Sequence, residues 1–231
     1  MTHLYLERAR QVGKTTAGKC SLIAFTGKPG AGKDSAAAVL VNHCRFRSIA
    51  FADALRREIS AAWRIDERML THRPTKELPI PALAVGMCGD PAFIIWCVDA
   101  GESLHAPRSP RWVLQQWATF QRRWRPNCYA DIVARWIRRE AALGFQRFAI
   151  TDLRDPVELH ALLALGMPLR VVRVHSRAAS TLAPDTAVHI SERHHIPGDL
   201  DLCNDGSLQA LAEAVLQLPP VAALRAADAT A

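Results

Sequence analysis

The stretch Gly27-Lys28-Pro29-Gly30-Ala31-Gly32-Lys33-Asp34-Ser35 constrains this chain more than any other. It follows an apolar run over residues 21–26 and opens an alanine-rich, helix-favouring run over 35–42. Strand, glycine loop and helix, in that order, are the setting in which a loop can cradle phosphate. Glycines let consecutive N–H groups turn into one concavity. That concavity sits at a helix N-terminus, whose partial positive charge favours an anion. The spacing from Gly27 to Gly32 and Lys33 fits a P-loop, with Lys33 as a full positive charge for the β- and γ-phosphates. The next position departs from the usual Ser or Thr: Asp34 stands there, and the hydroxyl follows at Ser35.

The 231 residues suffice for one α/β domain with a sizeable core, and 49% apolar content excludes a disordered chain. Twenty-nine Lys and Arg against 22 Asp and Glu leave a formal charge of +7, which fits a polyanionic partner: nucleotide, nucleic acid or membrane surface. Cys20, Cys44, Cys88, Cys97, Cys128 and Cys203 form no CxxC pair and read as free thiols of a reducing compartment. Residues 1–19 lack the apolar core of a secretory signal. The longest apolar run, 92–98, is far shorter than a membrane span. A cytoplasmic protein is expected. Val12-Gly13-Lys14-Thr15-Thr16 imitates the end of a second P-loop, but Arg8 replaces its first glycine, so residues 1–20 read as a basic extension.

The remaining pattern predicts strands over 21–26, 45–51, 147–151, 169–174 and 201–203. Helices are predicted over 34–43, 54–62, 111–123, 130–143, 157–165 and 207–216. Residues 64–110, rich in Pro and Gly, read as irregular, and 64–125 as a substrate-side subdomain. Residues 175–195 read as a lid-like loop and 219–231 as a frayed tail after Pro219-Pro220. The element order implies a doubly wound parallel sheet of about five strands in one domain, 21–218.

Open α/β sheets bind ligands beyond the carboxyl ends of their strands. Asp53 is expected there, either at the ligand or as a helix N-cap. Asp152 ends an apolar strand, as a Mg²⁺-holding carboxylate does, while an N-cap or a salt bridge with Arg154 fits equally well. Arg154, Arg173 and Arg177 can supply positive charge. Arg111, Gln115, Thr119 and Arg123 form a polar helical stripe, for which a solvated face and the wall of an anion pocket both fit. His189, His194 and His195 lie in a polar loop without the surroundings of a metal site.

Several blocks together resemble the phage-type deoxynucleoside monophosphate kinases, a branch of the P-loop nucleoside monophosphate kinases. Gly27 to Ser35 is similar to that family's loop ending Gly-Lys-Asp-Ser/Thr. Phe51-Ala52-Asp53-Ala54-Leu55-Arg56 resembles its Phe-Ala-Asp-Pro-Leu-Lys segment, and Lys76-Glu77-Leu78-Pro79 its Lys-Glu-hydrophobic-Pro loop. Ser109-Pro110-Arg111 with Leu114-Gln115 and Thr119 resembles its Pro-Arg helix. Thr151-Asp152-Leu153-Arg154 with Glu158, His189-Ile190-Ser191-Glu192, and Asn204-Asp205-Gly206 complete the set over about 21–216. Ala54, Arg56, Ala118 and Phe120 depart from the family's pattern, and 87–108 looks like an insertion.

The resemblance implies transfer of the γ-phosphate of ATP, with Mg²⁺, to a nucleoside monophosphate. It assigns ATP to Gly27, Gly30, Ala31, Gly32, Lys33, Asp34 and Ser35, and Mg²⁺ to Asp34, Ser35 and Asp152. It assigns the acceptor to Asp53, Arg56, Lys76, Glu77, Arg111, Gln115, Thr119, Arg123, Asp152 and Arg154. Lys33, Asp53, Arg154 and Arg177 become the catalytic set, with Arg173 and Arg177 in a closing lid. Two other readings stand beside it: a different small-molecule P-loop kinase of the dephospho-CoA kinase type, and a non-enzymatic nucleic-acid-binding P-loop module. The partner expected is the monophosphate substrate, with neither membrane nor nucleic acid, and homodimer formation stays open.

Overall fold

The structure, a computed structural model, describes residues 21–180 and 196–230. In chain order these form β1 (Ser21–Thr26), α1 (Lys33–Cys44), β2 (Arg47–Ile49), α2 (Phe51–Trp63), α3 (Arg68–Thr71), α4 (Pro91–Asp99), α5 (Pro110–Arg122), α6 (Cys128–Ala142), β3 (Arg147–Ile150), α7 (Pro156–Leu163), β4 (Leu169–His175), α8 (Arg177–Ser180), β5 (Leu200–Cys203), α9 (Leu208–Gln217) and α10 (Pro219–Ala229). They fall into two compact units, one built from 21–51 with 130–230 and the other from Ala52–Tyr129.

The first unit is an all-parallel five-stranded sheet in the order β2-β3-β1-β4-β5. Central strands of such a sheet are covered on both faces, which is why β1 is apolar throughout and not alternating. Ile23 and Phe25 face Ala36, Ala37 and Leu40 of α1, Leu211 and Val215 of α9 and Val221 of α10. Leu22 and Ala24, with Phe148, Ile150 and Val171, face Val133 and Ile137 of α6 and Leu159 and Leu162 of α7. The fold is the doubly wound α/β architecture expected.

Two expectations for this unit change. Strand β2 is only Arg47–Ile49, and Phe51 already opens α2. Residues 219–229 are no frayed tail. Pro219-Pro220 starts α10, Val221 is buried, and Arg147 pairs bidentately with Asp228, one of the two contacts being 2.6 Å. Proline suits the first turn of a helix, where its missing N–H has no intrahelical partner to lose.

The second unit packs α2 to α5 around an aromatic core. Phe93 stands 5.4 Å from Trp63, 5.1 Å from Trp117 and 5.4 Å from Phe120, centroid to centroid. Ile59, Leu70, Leu83, Val85 and Val113 complete it. Residues 64–110 are thus more regular than expected. Asp90 accepts the N–H groups of Ala92 and Phe93, and Pro91 opens α4 inside the supposed insertion. Cys44, Cys88, Cys97, Cys128 and Cys203 are free thiols. No helix among the described residues is long and apolar enough to cross a membrane.

Candidate functional site

Because all five strands run in parallel, the loops after β1, β3, β4 and β5 share one edge of the sheet. The loop after β1 carries Gly27, Gly30 and Gly32 at φ values of 131°, 81° and 99°. Glycine takes these values freely, and packing demands it at two of the positions. A Cβ on Gly27 would lie 2.3 Å from the carbonyl oxygen of Val174, and one on Gly32 would lie 2.2 Å from Nδ2 of Asn204. That same Asn204 amide donates to the carbonyl of Ala31 at 2.9 Å. Asn204, at the end of β5, therefore buttresses the loop. In the sequence, its place just past the 201–203 strand is the signal that points to this edge of the sheet.

Lys33 is the first residue of α1 and only 7% exposed. Its Nζ donates to the carbonyls of Gly27 and Lys28, both at 2.8 Å, so the ammonium arches over the loop it follows. No side chain caps the N-terminus of α1. Asp34 is exposed and Ser35 half-buried.

The segment after β3 is drawn to the same place. The Leu153 N–H donates to the carbonyl of Phe25 at 3.1 Å, bringing 152–154 to the end of β1. Asp152 Oδ1 accepts the N–H of Phe51 at 2.7 Å. Behind this segment lies Glu158, 7% exposed, whose Oε2 accepts the N–H groups of Arg154 (2.8 Å) and Asp155 (3.0 Å). Burial, and next the negative charge of Asp152, push the Glu158 carboxyl up to about 8 despite the two donors, which favour the charged form. Sequence reading placed Glu158 only within a motif. Its burial comes from the fold, whereas its grip on the Asp155 N–H is half of a local capping box, with Asp155 and Glu158 three residues apart.

Arg177 opens α8. Its N–H donates to Asp205 at 2.7 Å, and its guanidinium lies 3.4 Å from the same carboxylate. Arg173 does not belong to a lid: it sits within β4, in register with Thr26 and Asp201, and donates to the carbonyl of Ile196. Of the lid-like loop expected over 175–195, His175 ends β4 and Arg177–Ser180 form α8, while 181–195, with His189, His194 and His195, and the basic extension 1–20 lie outside the described residues.

The acceptor candidates of the second unit divide. Arg111 pairs through Nε with Glu77 and donates its N–H to the carbonyl of Lys76 at 3.1 Å, so these three meet at the start of α5. Gln115 follows on the same side, and the Thr119 hydroxyl donates to the Gln115 carbonyl at 2.9 Å. Asp53 lies within the first turn of α2, not at an N-cap, and pairs with Arg56 at 2.6 Å. Arg123 stands apart. Four-residue steps drift around a helix with 3.6 residues per turn, so it is roughly 120° from Arg111. It lines a groove with Trp96, Phe120 and Trp124.

The donor set of the first unit suits a polyphosphate: backbone N–H groups at an uncapped helix start, a lysine, and glycines held open by packing. It suits Mg²⁺ held through phosphate, water and one or two protein oxygens, for which Ser35, Asp34 and Asp152 are the candidates. No cluster of three or more His, Cys, Asp or Glu able to hold a metal alone occurs among the described residues.

No protein-family profile matches the chain, and no curated protein matches it. Among solved structures, an unliganded sugar kinase from Janibacter sp. HTCC2649 is similar over 89% of this chain and 97% of its own, at 13% identity and a TM-score of 0.43. At that score the similarity carries no inference about what this chain does.

Proposed function

We propose that the protein transfers the γ-phosphate of ATP to a (deoxy)nucleoside monophosphate. The observation that carries this reading is the 27–33 loop, with buried Lys33 over it and the 152–154 segment hydrogen-bonded to the strand that feeds it. Phosphoryl transfer needs positioning and charge more than covalent help. In this reading the N–H groups of 27–33 hold the β- and γ-phosphates. Lys33 exchanges two carbonyl acceptors for phosphate oxygens, so it arrives already oriented. Mg²⁺ supplies charge neutralisation on those phosphates when bound, held by Ser35, Asp34 and Asp152 directly or through water. Arg154 and Arg177 stabilise charge on the transferring group. Lys76, Glu77, Arg111, Gln115 and Thr119, with Asp53 and Arg56, serve the acceptor. Glu77 on Nε sets the plane of the Arg111 guanidinium, the group suited to a bidentate grip on the monophosphate.

The test is a panel of ribo- and deoxyribonucleoside monophosphates with ATP and Mg²⁺, read as diphosphate formed. At least one is expected to be phosphorylated. Turnover of dephospho-CoA with none of the monophosphates would replace this reading with the other P-loop kinase class.

A further inference from the structure

The sheet unit carries a second cationic surface, at the edge away from the glycine loop. Arg47 begins β2 and Arg147 begins β3, and the register of these neighbouring parallel strands puts both at the N-terminal edge of the sheet. Arg45 follows the last residue of α1, Arg139 lies in the last turn of α6, and Arg225 lies on α10. Shared partners show how close these side chains are. Arg47 and Arg139 both reach the buried Glu140, the latter at 3.3 Å. Arg147 pairs with Asp228 and donates to the carbonyl of Cys44 at 3.1 Å. Arg45 lies within electrostatic reach of that same Asp228, and Arg225 within reach of Cys44. Five arginines thus stand around two carboxylates, Glu140 and Asp228. The other acid of α6, Asp131, lies in its first turn, at the far end of the helix. Neither Arg45 nor Arg225 has a hydrogen-bonded or ion-paired partner for its side chain among the described residues.

We propose that this face binds a single-stranded nucleic acid. Cations crowded with too few counter-charges repel one another, and a polyanion relieves that repulsion while releasing its own counterions. The cations here are arginines, whose planar fork matches phosphate oxygens two at a time. Phe145 decides between a nucleic acid and other polyanions. It remains exposed beside the cluster, and the Arg47 guanidinium lies 3.5 Å from its ring centroid. An exposed ring with a guanidinium stacked on it is a platform for unpaired bases, which a duplex keeps inside its own stack. A lipid headgroup offers the phosphate without the base. None of these residues belongs to the glycine loop or to the acceptor set, so the proposal does not rest on the kinase reading.

Fluorescence anisotropy of the full chain with labelled oligonucleotides tests it, with ATP and Mg²⁺ in excess so that the glycine loop is occupied. Single-stranded DNA and RNA of mixed sequence are measured in parallel, each against a duplex and over a salt series. Single strands are expected to bind with a Kd of roughly 10 μM at low salt, and the affinity to fall steeply as salt rises. Arg45→Gln combined with Arg225→Gln removes two exposed charges without breaking an ion pair. That variant is expected to bind roughly tenfold more weakly and to lower the log–log salt slope by about 1.4, with phosphoryl transfer and the circular dichroism spectrum unchanged. Phe145→Ala is expected to abolish the preference for single strand over duplex. No anisotropy change at low salt, a salt slope unaltered in the double variant, or tighter binding to duplex than to single strand would each overturn the proposal. Co-sedimentation with phosphatidylglycerol vesicles but no oligonucleotide binding would overturn it in favour of a membrane surface.

Discussion

At the scale of single residues, Lys33 and Glu158 show how burial changes what a side chain means. A lysine is seldom buried, and Lys33 is tolerated because two loop carbonyls accept hydrogen bonds from its ammonium. Removing it leaves those carbonyls without their partner but leaves the sheet untouched. Lys33→Ala is therefore expected to reduce phosphoryl transfer by about a thousandfold or more while the protein still unfolds cooperatively. Turnover close to wild type in a steady-state assay would remove the loop from the chemistry. Glu158 behaves oppositely, since its surroundings favour the neutral acid. Its carboxyl titrates at about 8 in the fold against an ordinary 4.5. The folded state therefore binds the proton more tightly between those values. Stability contributed by the protonated group is fully present below 4.5 and is lost as pH rises through 8. Thermal melts between pH 5 and pH 9 check this, with Glu158→Gln expected to lose less stability than wild type over that window. Parallel pH curves for the two proteins would mean that Glu158 titrates normally.

At the scale of elements, helices α4 and α10 were hidden and β1 and α1 were plain. β1 is a continuous apolar run next to a glycine loop, a pattern with few alternative folds. The run 92–98 is apolar on nearly every side, so no helical period distinguishes it. What fixes α4 is the Asp90 cap, Pro91 at the first helical position and the aromatic core beneath Phe93. In α10, proline, alanine and a few charges read equally well as a tail. Val221 and Leu224 against α1 and α9, and Arg147 against Asp228, decide for a helix. Val221→Ala should cost about 2 kcal/mol, from two buried methyl groups at about 1 kcal/mol each. A denaturant midpoint unchanged by that substitution would mean that α10 is not docked.

At the scale of the whole molecule, the residues assigned to the two substrates fall in different units. The nucleotide candidates belong to the sheet unit and most acceptor candidates to 52–129. The corresponding expectation is kinetic. Arg111→Ala should raise the KM for the monophosphate about ten- to a hundredfold, the worth of one or two charge-assisted hydrogen bonds. The KM for ATP should change little. Initial-rate measurements with each substrate varied in turn check it, and equal changes in both constants would exclude Arg111 from acceptor recognition.

The sequence by itself determined the doubly wound class and the position of the glycine loop on it. Both follow from local rules: which runs are apolar throughout, where glycine permits positive φ, and which side chains begin a helix. Only the tertiary structure decided that Asn204 lies against Gly32, that Glu158 is buried, that α10 packs, and that Arg123 leaves the stripe of Arg111 for a groove of its own. Except for the drift of Arg123, which begins in helical pitch, these arrangements join residues far apart in the chain. Their partners are chosen by packing, and one-dimensional spacing carries no record of that choice.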